Sequence, residues 1–265
     1  MWEKYFRKMS IQMEKIKINV VTIGRVPIQF KLLELENWKS EIFEIVGVEN
    51  YGLTGNSDRP KWRFSDEFFN NQLQKNFVGD FRFVIVNVPI RYNFYSRRIS
   101  ENCIVFTFHE IANFLFAENI PLQNVVLRLL YSYALLYQAC DQKIPTSQQE
   151  YQFAHDETRG CLFDMNGIKS EIIESCNQPI ICEECAVHLQ RSRVPVSMIK
   201  AACGESRKIK KPLYYRLLDS VKTHPLLALF ISSGFAILLG IAGSLAASFL
   251  YDAIRPPQRS TQHIP

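Results

Sequence analysis

The segment LQNVVLRLLYSYALLYQA, residues 122–139, is apolar on nearly every side, with Asn124, Arg128 and Ser132 aligned as its one polar line. Residues four apart share a face of a helix, so the pattern predicts a long helix. Pro121, just ahead of it, suits a first helical turn. A helix this apolar needs protein around it, and we expect it to form the centre of the core.

Four apolar, β-rich runs precede this helix. They lie at residues 17–23, 41–48, 82–90 and 103–108. Shorter helices are expected between and after them: one through Ile28, Leu32, Leu35 and Trp38, one capped by Ser65, and one at 109–117. Strands that alternate with helices indicate an α/β fold, a layered sheet and helices.

A second long apolar segment, PLLALFISSGFAILLGIAGSLAASFLY, covers residues 225–251 without a charge. Its 27 residues exceed the roughly 20 that a helix needs to cross a bilayer, so it is predicted to be a transmembrane helix in contact with lipid. Cations are concentrated before it, at Arg207, Lys208, Lys210, Lys211, Arg216 and Lys222, and only Arg255 and Arg259 follow. This bias predicts a single-pass protein with a cytoplasmic N-terminal domain.

Small residues recur every fourth position within this segment, at Ser232, Ala236, Gly240, Ser244 and Ser248. Such a stripe lets a second helix approach closely, which predicts a homo-oligomer formed through the membrane. Small residues are also common in transmembrane helices in general, and this alternative stays open.

Charge and composition exclude some classes of protein. The net charge is +5, but the cations are spread along the chain except near 207–222, which argues against a nucleic-acid partner. The first residues alternate charged with apolar residues, so a secretory signal is not expected there. The predicted parts are an N-terminal extension (1–16), a globular domain (17–190), a basic juxtamembrane linker (191–224), the transmembrane helix (225–251) and a short tail (252–265).

A cluster of metal-binding residue types lies at 155–185. Cys182 and Cys185 form a C-x-x-C pair, Cys161 lies about twenty residues upstream, and His155 precedes it. Together they predict a Zn²⁺ site. His155 could instead be a surface histidine paired with Asp156 or Glu157.

The other cysteines are assigned differently. Cys176 is a spare candidate ligand, whereas Cys103, Cys140 and Cys203 are expected to be simply buried. Arg159 is either a donor to thiolate sulfur or an ordinary ion-pairing arginine.

The stretch HDETRGCLFDM, residues 155–165, together with the later CEEC, resembles the end of the zinc motif of the archaemetzincins, zinc peptidases of the metzincin clan. In that family three histidines bind a catalytic zinc and four cysteines bind a structural one. The resemblance places His155 at the third zinc histidine, Asp156 at the first cysteine, and Cys161, Cys182 and Cys185 at the others. It spans about residues 17–190 and implies a zincin-like layered fold with a zinc knuckle at 155–190.

The catalytic half of that motif is missing. Counted back from His155, the family's catalytic residues fall on Pro145, Thr146, Gln149 and Gln152, and the helix at 121–139 has no histidine. The resemblance therefore implies a degenerate relative that kept a structural zinc, held by three cysteines and either His155 or Asp156. Three cysteines and a histidine are the commoner set, which favours His155.

The expected function is that of a non-catalytic membrane protein acting as a binding, scaffold or membrane effector module, for example in defence or stress. The alternative is a membrane-tethered metallopeptidase with an atypical site at His109, Glu110 and His155. In that site Asn113 would stand where a second histidine is needed, and Asn is a poor zinc ligand. A protein partner docking on the zinc knuckle is a third hypothesis.

Overall fold

The computed structural model describes residues 14–254, without the side chains of residues 147, 150, 151 and 252. The predicted extension at 1–16 and tail at 252–265 therefore lie mostly outside the described residues. The chain separates into two compact units between Lys211 and Pro212.

A five-stranded mixed sheet forms the centre of the first unit. Its strands are β1 (Ile16–Ile23), β2 (Phe43–Tyr51), β3 (Phe81–Val86), β4 (Ser96–Ser100) and β5 (Cys103–Thr107). They are arranged in the order β2-β1-β3-β5-β4, and only the β4–β5 pair is antiparallel. The α/β prediction is confirmed, and each of the four predicted runs overlaps a strand.

Strand β4 was not expected from the sequence. Its residues, SRRIS, include two adjacent arginines and lack the apolar alternation of a half-buried strand. It pairs with β5 alone, so it lies at the edge of the sheet, where charged side chains keep access to water.

Seven helices of the first unit are described, and most are short. They are α1 (Leu32–Glu36), α2 (Asp66–Gln72), α3 (Ile111–Ala117), α4 (Leu122–Ala139), α5 (Ser147–Phe153), α6 (Glu183–Arg191) and α7 (Val196–Ser206). Two 3-10 segments occur at Arg91–Asn93 and Lys169–Cys176. The Ser65 hydroxyl caps α2, as predicted, by accepting from the N–H of Phe68 at 3.1 Å. Helix α1 is shorter than its apolar pattern, which had extended from Ile28 to Trp38.

Helix α4 is the centre of the larger of two apolar cores. All residues from Leu122 to Tyr137 are buried, and they pack against Phe83, Phe106 and their neighbours on one face of the sheet. A smaller core, which includes Phe69 of α2, covers the other face. The sheet is therefore buried on both faces, as parallel strands require.

The polar line of α4 faces the segment that follows the helix in sequence. The Asn124 side-chain amide donates to the carbonyl of Cys176 at 2.8 Å, and Arg128 donates to the carbonyl of Asp164, also at 2.8 Å. These bonds satisfy polar groups that a wholly apolar contact would leave unpaired, so they fix the segment against the core.

Helix α7 belongs to the first unit, although its residues lie in the predicted linker at 191–224. The buried carboxylate of Glu205 accepts from the hydroxyls of Ser40 and Tyr131 at 2.7 and 2.6 Å, and from the N–H of Glu41 at 2.8 Å. We call these bonds the Glu205 clamp. Charge-assisted bonds of this kind hold α7 against the core, so the domain extends past residue 190.

The second unit consists of two described helices. Helix α8 (Leu213–Thr223) follows Pro212, and helix α9 (Pro225–Ile254) contains the apolar segment. The 27 residues from Pro225 to Tyr251 are long and apolar enough to cross a membrane, and none of that window is buried within the protein.

Candidate metal centre

The four predicted zinc ligands converge in the first unit. His155 and Cys161 lie in the loop after α5. Cys182 occupies the N-cap position of α6, and Cys185 lies in the first turn of that helix. Their ligand atoms all lie within 4.8 Å of one another. Within the described residues no other group of three or more histidine, cysteine or acidic side chains is close enough to hold a metal ion.

The spacing of one ligand pair, Cys182 and His155, matches a tetrahedral zinc site. A zinc–sulfur bond of about 2.3 Å and a zinc–nitrogen bond of about 2.0 Å put the two ligand atoms about 3.5–3.6 Å apart. The Sγ of Cys182 lies 3.6 Å from Nε2 of His155. The chemistry also fits, since thiolates with one imidazole form a common closed zinc set.

Short backbone contacts shape the two ligand loops. Gly160, with φ +70°, takes the left-handed turn before Cys161, where an added Cβ would meet the carbonyl oxygen of Glu174 at 3.3 Å. Ile180 then pairs with this turn, donating to the carbonyl of Gly160 at 2.9 Å and accepting from Leu162 at 2.8 Å. The pairing brings Cys161 beside Cys182 and Cys185.

His155 is oriented by its other ring nitrogen. Nδ1 lies 2.8 Å from the backbone carbonyl of Glu157 and 3.5 Å from the carboxylate of Asp164, leaving Nε2 to face the sulfur atoms. Its side chain is only 12% exposed. This arrangement is typical of metal-binding histidines, whose second nitrogen is held by a carbonyl or carboxylate.

Electrostatics distinguish Cys161 from the buried cysteines outside the cluster. The Cys185 thiol and the N–H of Cys182 stabilise the Cys161 thiolate, and they lower its pKa to about 4 against the opposing effect of burial. The same contact with Cys161, together with burial, raises the pKa of Cys185. Burial raises the pKa of Cys176 to about 12 and that of Cys103 to about 11, so both stay protonated thiols, whereas Cys161 has the thiolate character that a cation requires.

Arg159 approaches the cluster from the solvent side. Its Nη1 lies 3.9 Å from Sγ of Cys182 and 3.0 Å from the carboxylate of Glu184, while Nη2 pairs with Glu157 at 2.7 Å. It is thus both a weak donor to sulfur and an ion-pairing arginine, the two roles that the sequence left open.

Asp164 is the residue of the site that sequence reasoning missed. Its buried carboxylate accepts from the N–H of Cys161 at 2.9 Å and from the N–H of Arg159 at 3.2 Å, and it faces Nδ1 of His155. Desolvation by burial raises its pKa, although these N–H groups act in the opposite direction. The available signal was its position three residues after a ligand cysteine, where an aspartate can close a tight loop.

The remaining candidates lie apart from the cluster. Cys176 is buried, and its carbonyl is held by Asn124. The carboxylate of Glu110 accepts from Lys169 at 2.8 Å, and His109 lies 3.9 Å from that carboxylate. In the second unit, the stripe residues 232, 236, 240, 244 and 248 are exposed along α9.

Comparisons of this chain with protein-family models, curated proteins and solved structures found no match. The resemblance to archaemetzincins therefore stays a prediction. The features of the chain that bear on its function are the geometry of the cluster and the apolar helix α9.

Replacement of Cys185 by Ser should remove the metal and destabilise the domain. The expected zinc content falls from about one per chain to nearly none, and the free energy of unfolding falls by at least about 3 kcal/mol, because metal binding and folding are coupled. Metal analysis and chemical denaturation of the full chain measure both. Cys140→Ser is the matched control and should keep its zinc. Full zinc content in Cys185→Ser would contradict the assignment.

Replacement of Asp164 by Asn should weaken zinc binding about 10- to 100-fold without removing a ligand, because it removes the charge that orients His155 and the Cys161 loop. Competition with a chromophoric chelator measures the affinity. Asp156→Asn, an exposed neighbour in the same loop, is the control and should bind zinc as the unaltered chain does. Equal affinities in the two variants would show that Asp164 does not support the site.

Proposed function

We propose that this chain is a non-catalytic, single-pass membrane protein whose N-terminal domain is stabilised by a structural Zn²⁺ ion. The observation that carries the proposal is the complete set of four ligand atoms, from His155, Cys161, Cys182 and Cys185. A catalytic zinc keeps one coordination position for water or substrate, whereas three thiolates and an imidazole close the tetrahedron. When bound, the ion would cross-link the His155 loop to α6.

A zincin-like ancestry is part of the proposal. It is supported by the mixed sheet with its antiparallel edge strand and by the residues around 155–185 that resemble the archaemetzincin motif. The central helix α4 carries no histidine, so it offers no place for a catalytic three-histidine site. The domain is then best described as a pseudoenzyme that kept its structural metal.

The role of the domain is binding or scaffolding at a membrane surface, or acting there as an effector in defence or stress. Helix α9 supplies the membrane segment, and the cations that precede it in sequence support a cytoplasmic domain. Helix α8, with Leu213, Tyr214 and Leu217 exposed beside basic residues, suits contact with anionic lipid headgroups. Helices α8 and α9 thus carry the proposed membrane role, and the zinc stabilises the domain that they anchor.

A membrane-tethered peptidase is the competing function, and Glu110 is the residue that separates the two. The zinc-loaded full chain in detergent should release no fragments from casein above the rate of a blank, and Glu110→Gln should change nothing. The physical reason is that Lys169 and Asn93 donate hydrogen bonds to the Glu110 carboxylate and lower its pKa, and that Glu110 is not part of the metal-binding cluster. Proteolysis abolished by Glu110→Gln, with zinc content and fold unchanged, would overturn the non-catalytic proposal.

Self-association through the small-residue stripe is tested with two glycines of the same helix. Gly240→Ile should weaken association in lipid vesicles at least about fivefold, roughly 1 kcal/mol, because a branched side chain separates the paired backbones. Gly234→Ile, about 120° away from Gly240 around the helix, is the control and should associate normally. An added Cβ meets no atom within 4 Å at either glycine. Energy transfer between labelled chains measures association, and equal effects of the two changes would exclude the stripe.

A further inference from the structure

A cavity of about 200 Å³ lies in the first unit beside the metal centre. Its walls are formed by β4 and the residues just before it, by one face of α4, and by the segment from Leu162 to Lys169. One water needs only about 10–15 Å³ of such space, so the cavity has room for a small organic molecule.

Arg128 of α4 lines this cavity and is almost completely buried, with 1% of its surface exposed. Its Nη2 donates to the carbonyl of Asp164 at 2.8 Å and its Nη1 to the hydroxyl of Tyr95 at 3.4 Å, and Nε has no partner. Both of its partners are neutral groups. No carboxylate among the described residues forms an ion pair with Arg128.

A buried guanidinium without an anion is costly. Transferring an unpaired charge out of water costs several kcal/mol, and proteins normally supply an ion pair at such positions. The carboxylate of Asp164, the acidic group that lines the cavity, attracts Arg128 at longer range but makes no ion pair with it, and it is engaged by the N–H groups of Cys161 and Arg159. Lys169 adds a second cation to the wall, and its charge is opposed by Glu110. An anion bound in the cavity would therefore supply the ion pair that Arg128 lacks.

Arg97 of β4 is a further cation on the wall of the cavity. Its Nη2 pairs with Asp66 of α2 at 2.9 Å, whereas its buried Nε and Nη1 have no hydrogen-bond partner. The cationic lining of the cavity therefore consists of Arg97, Arg128 and Lys169, and among these three Arg128 is the one without an ion pair.

The rest of the lining indicates what the anion is attached to. Phe94, Tyr95, Leu129, Leu136 and Phe163 provide apolar and aromatic surface. Asn166 presents a buried side-chain oxygen, Oδ1, that accepts no hydrogen bond. A partner for this oxygen has to be a donor, such as a hydroxyl group.

We propose that this cavity binds a small aromatic or apolar organic acid, whose carboxylate or phosphate group pairs with Arg128 and whose hydroxyl group donates to Asn166. Guanidinium groups recognise both kinds of oxyanion with strong, charge-assisted hydrogen bonds. The proposal deepens the proposed function, because it rests on the domain being a binding module and names the chemical class of its ligand. A metal cation is excluded as the occupant by the positive charge of Arg128.

The experiment measures binding to the zinc-loaded full chain in detergent by calorimetry. The probes are 4-hydroxybenzoate, phenyl phosphate and the uncharged 4-hydroxybenzamide. At least one of the two anions should bind, and the amide should bind at least about tenfold more weakly, as expected for the loss of one charge-assisted bond. The anion that binds more tightly identifies the head group. Binding of neither anion, or equal binding of the amide, would overturn the proposal.

Variants locate the site. Arg128→Met should weaken anion binding at least about tenfold. Ser132→Leu fills the cavity from the same face of α4 while Arg128 itself is kept, and it should block binding even if Arg128→Met fails to fold. Arg98→Met, on β4 and outside the cavity lining, is the control and should bind as the unaltered chain does.

Zinc is measured in every sample, so that the two proposals fail separately. A chain with one zinc and no anion binding would refute the ligand and leave the structural zinc standing. Anion binding that persists in both Arg128→Met and Ser132→Leu would place the ligand elsewhere and refute this site.

Discussion

The hydrogen bond from Arg128 to the carbonyl of Asp164 connects the apolar core to the metal centre. Helix α4 is buried on all sides, so any cation on it must find its partners inside the protein. The partner it finds belongs to a residue whose carboxylate holds the N–H of Cys161 and orients His155. The position of two candidate metal ligands thus depends on a helix far from the C-x-x-C pair in sequence. A bound ion in turn would stabilise the loop that satisfies Arg128.

Burial determined how much of the fold could be predicted from the sequence. Strands such as Phe81–Val86 and the helix Leu122–Ala139 are buried along their whole length, so their apolar runs were visible in the sequence. The convergence of the cysteines into one cluster could be predicted because few other roles need that spacing in a chain expected to stay in a reducing compartment. Strand β4 was missed because an edge position, which only the assembled sheet defines, permits its two arginines.

Two other features depend on distant contacts that no local pattern contains. Asp164 acquires its role only when the Gly160 turn brings backbone N–H groups to its carboxylate. Helix α7 is part of the domain because Glu205 reaches Ser40, a residue 165 positions away. From the sequence alone, the basic region around Glu205 was assigned to a linker, because the partners that bury this glutamate lie far away along the chain. Long-range polar contacts of this kind therefore set the extent of the domain and the support of its metal site.

The Glu205 clamp also affects the order in which the domain folds. Its donors, on Ser40, Glu41 and Tyr131, lie in the first half of the chain, whereas the acceptor, Glu205, lies near the end of the first unit. Contacts that close such long loops form late and slow the folding rate. Until α7 packs against α4, water must hydrate these three donors, and the side of α4 that α7 covers stays exposed. Until residue 205 has been synthesised, the Glu205 clamp cannot form, and the apolar surface that α7 covers in the folded domain stays open to the non-native contacts that lead to misfolding.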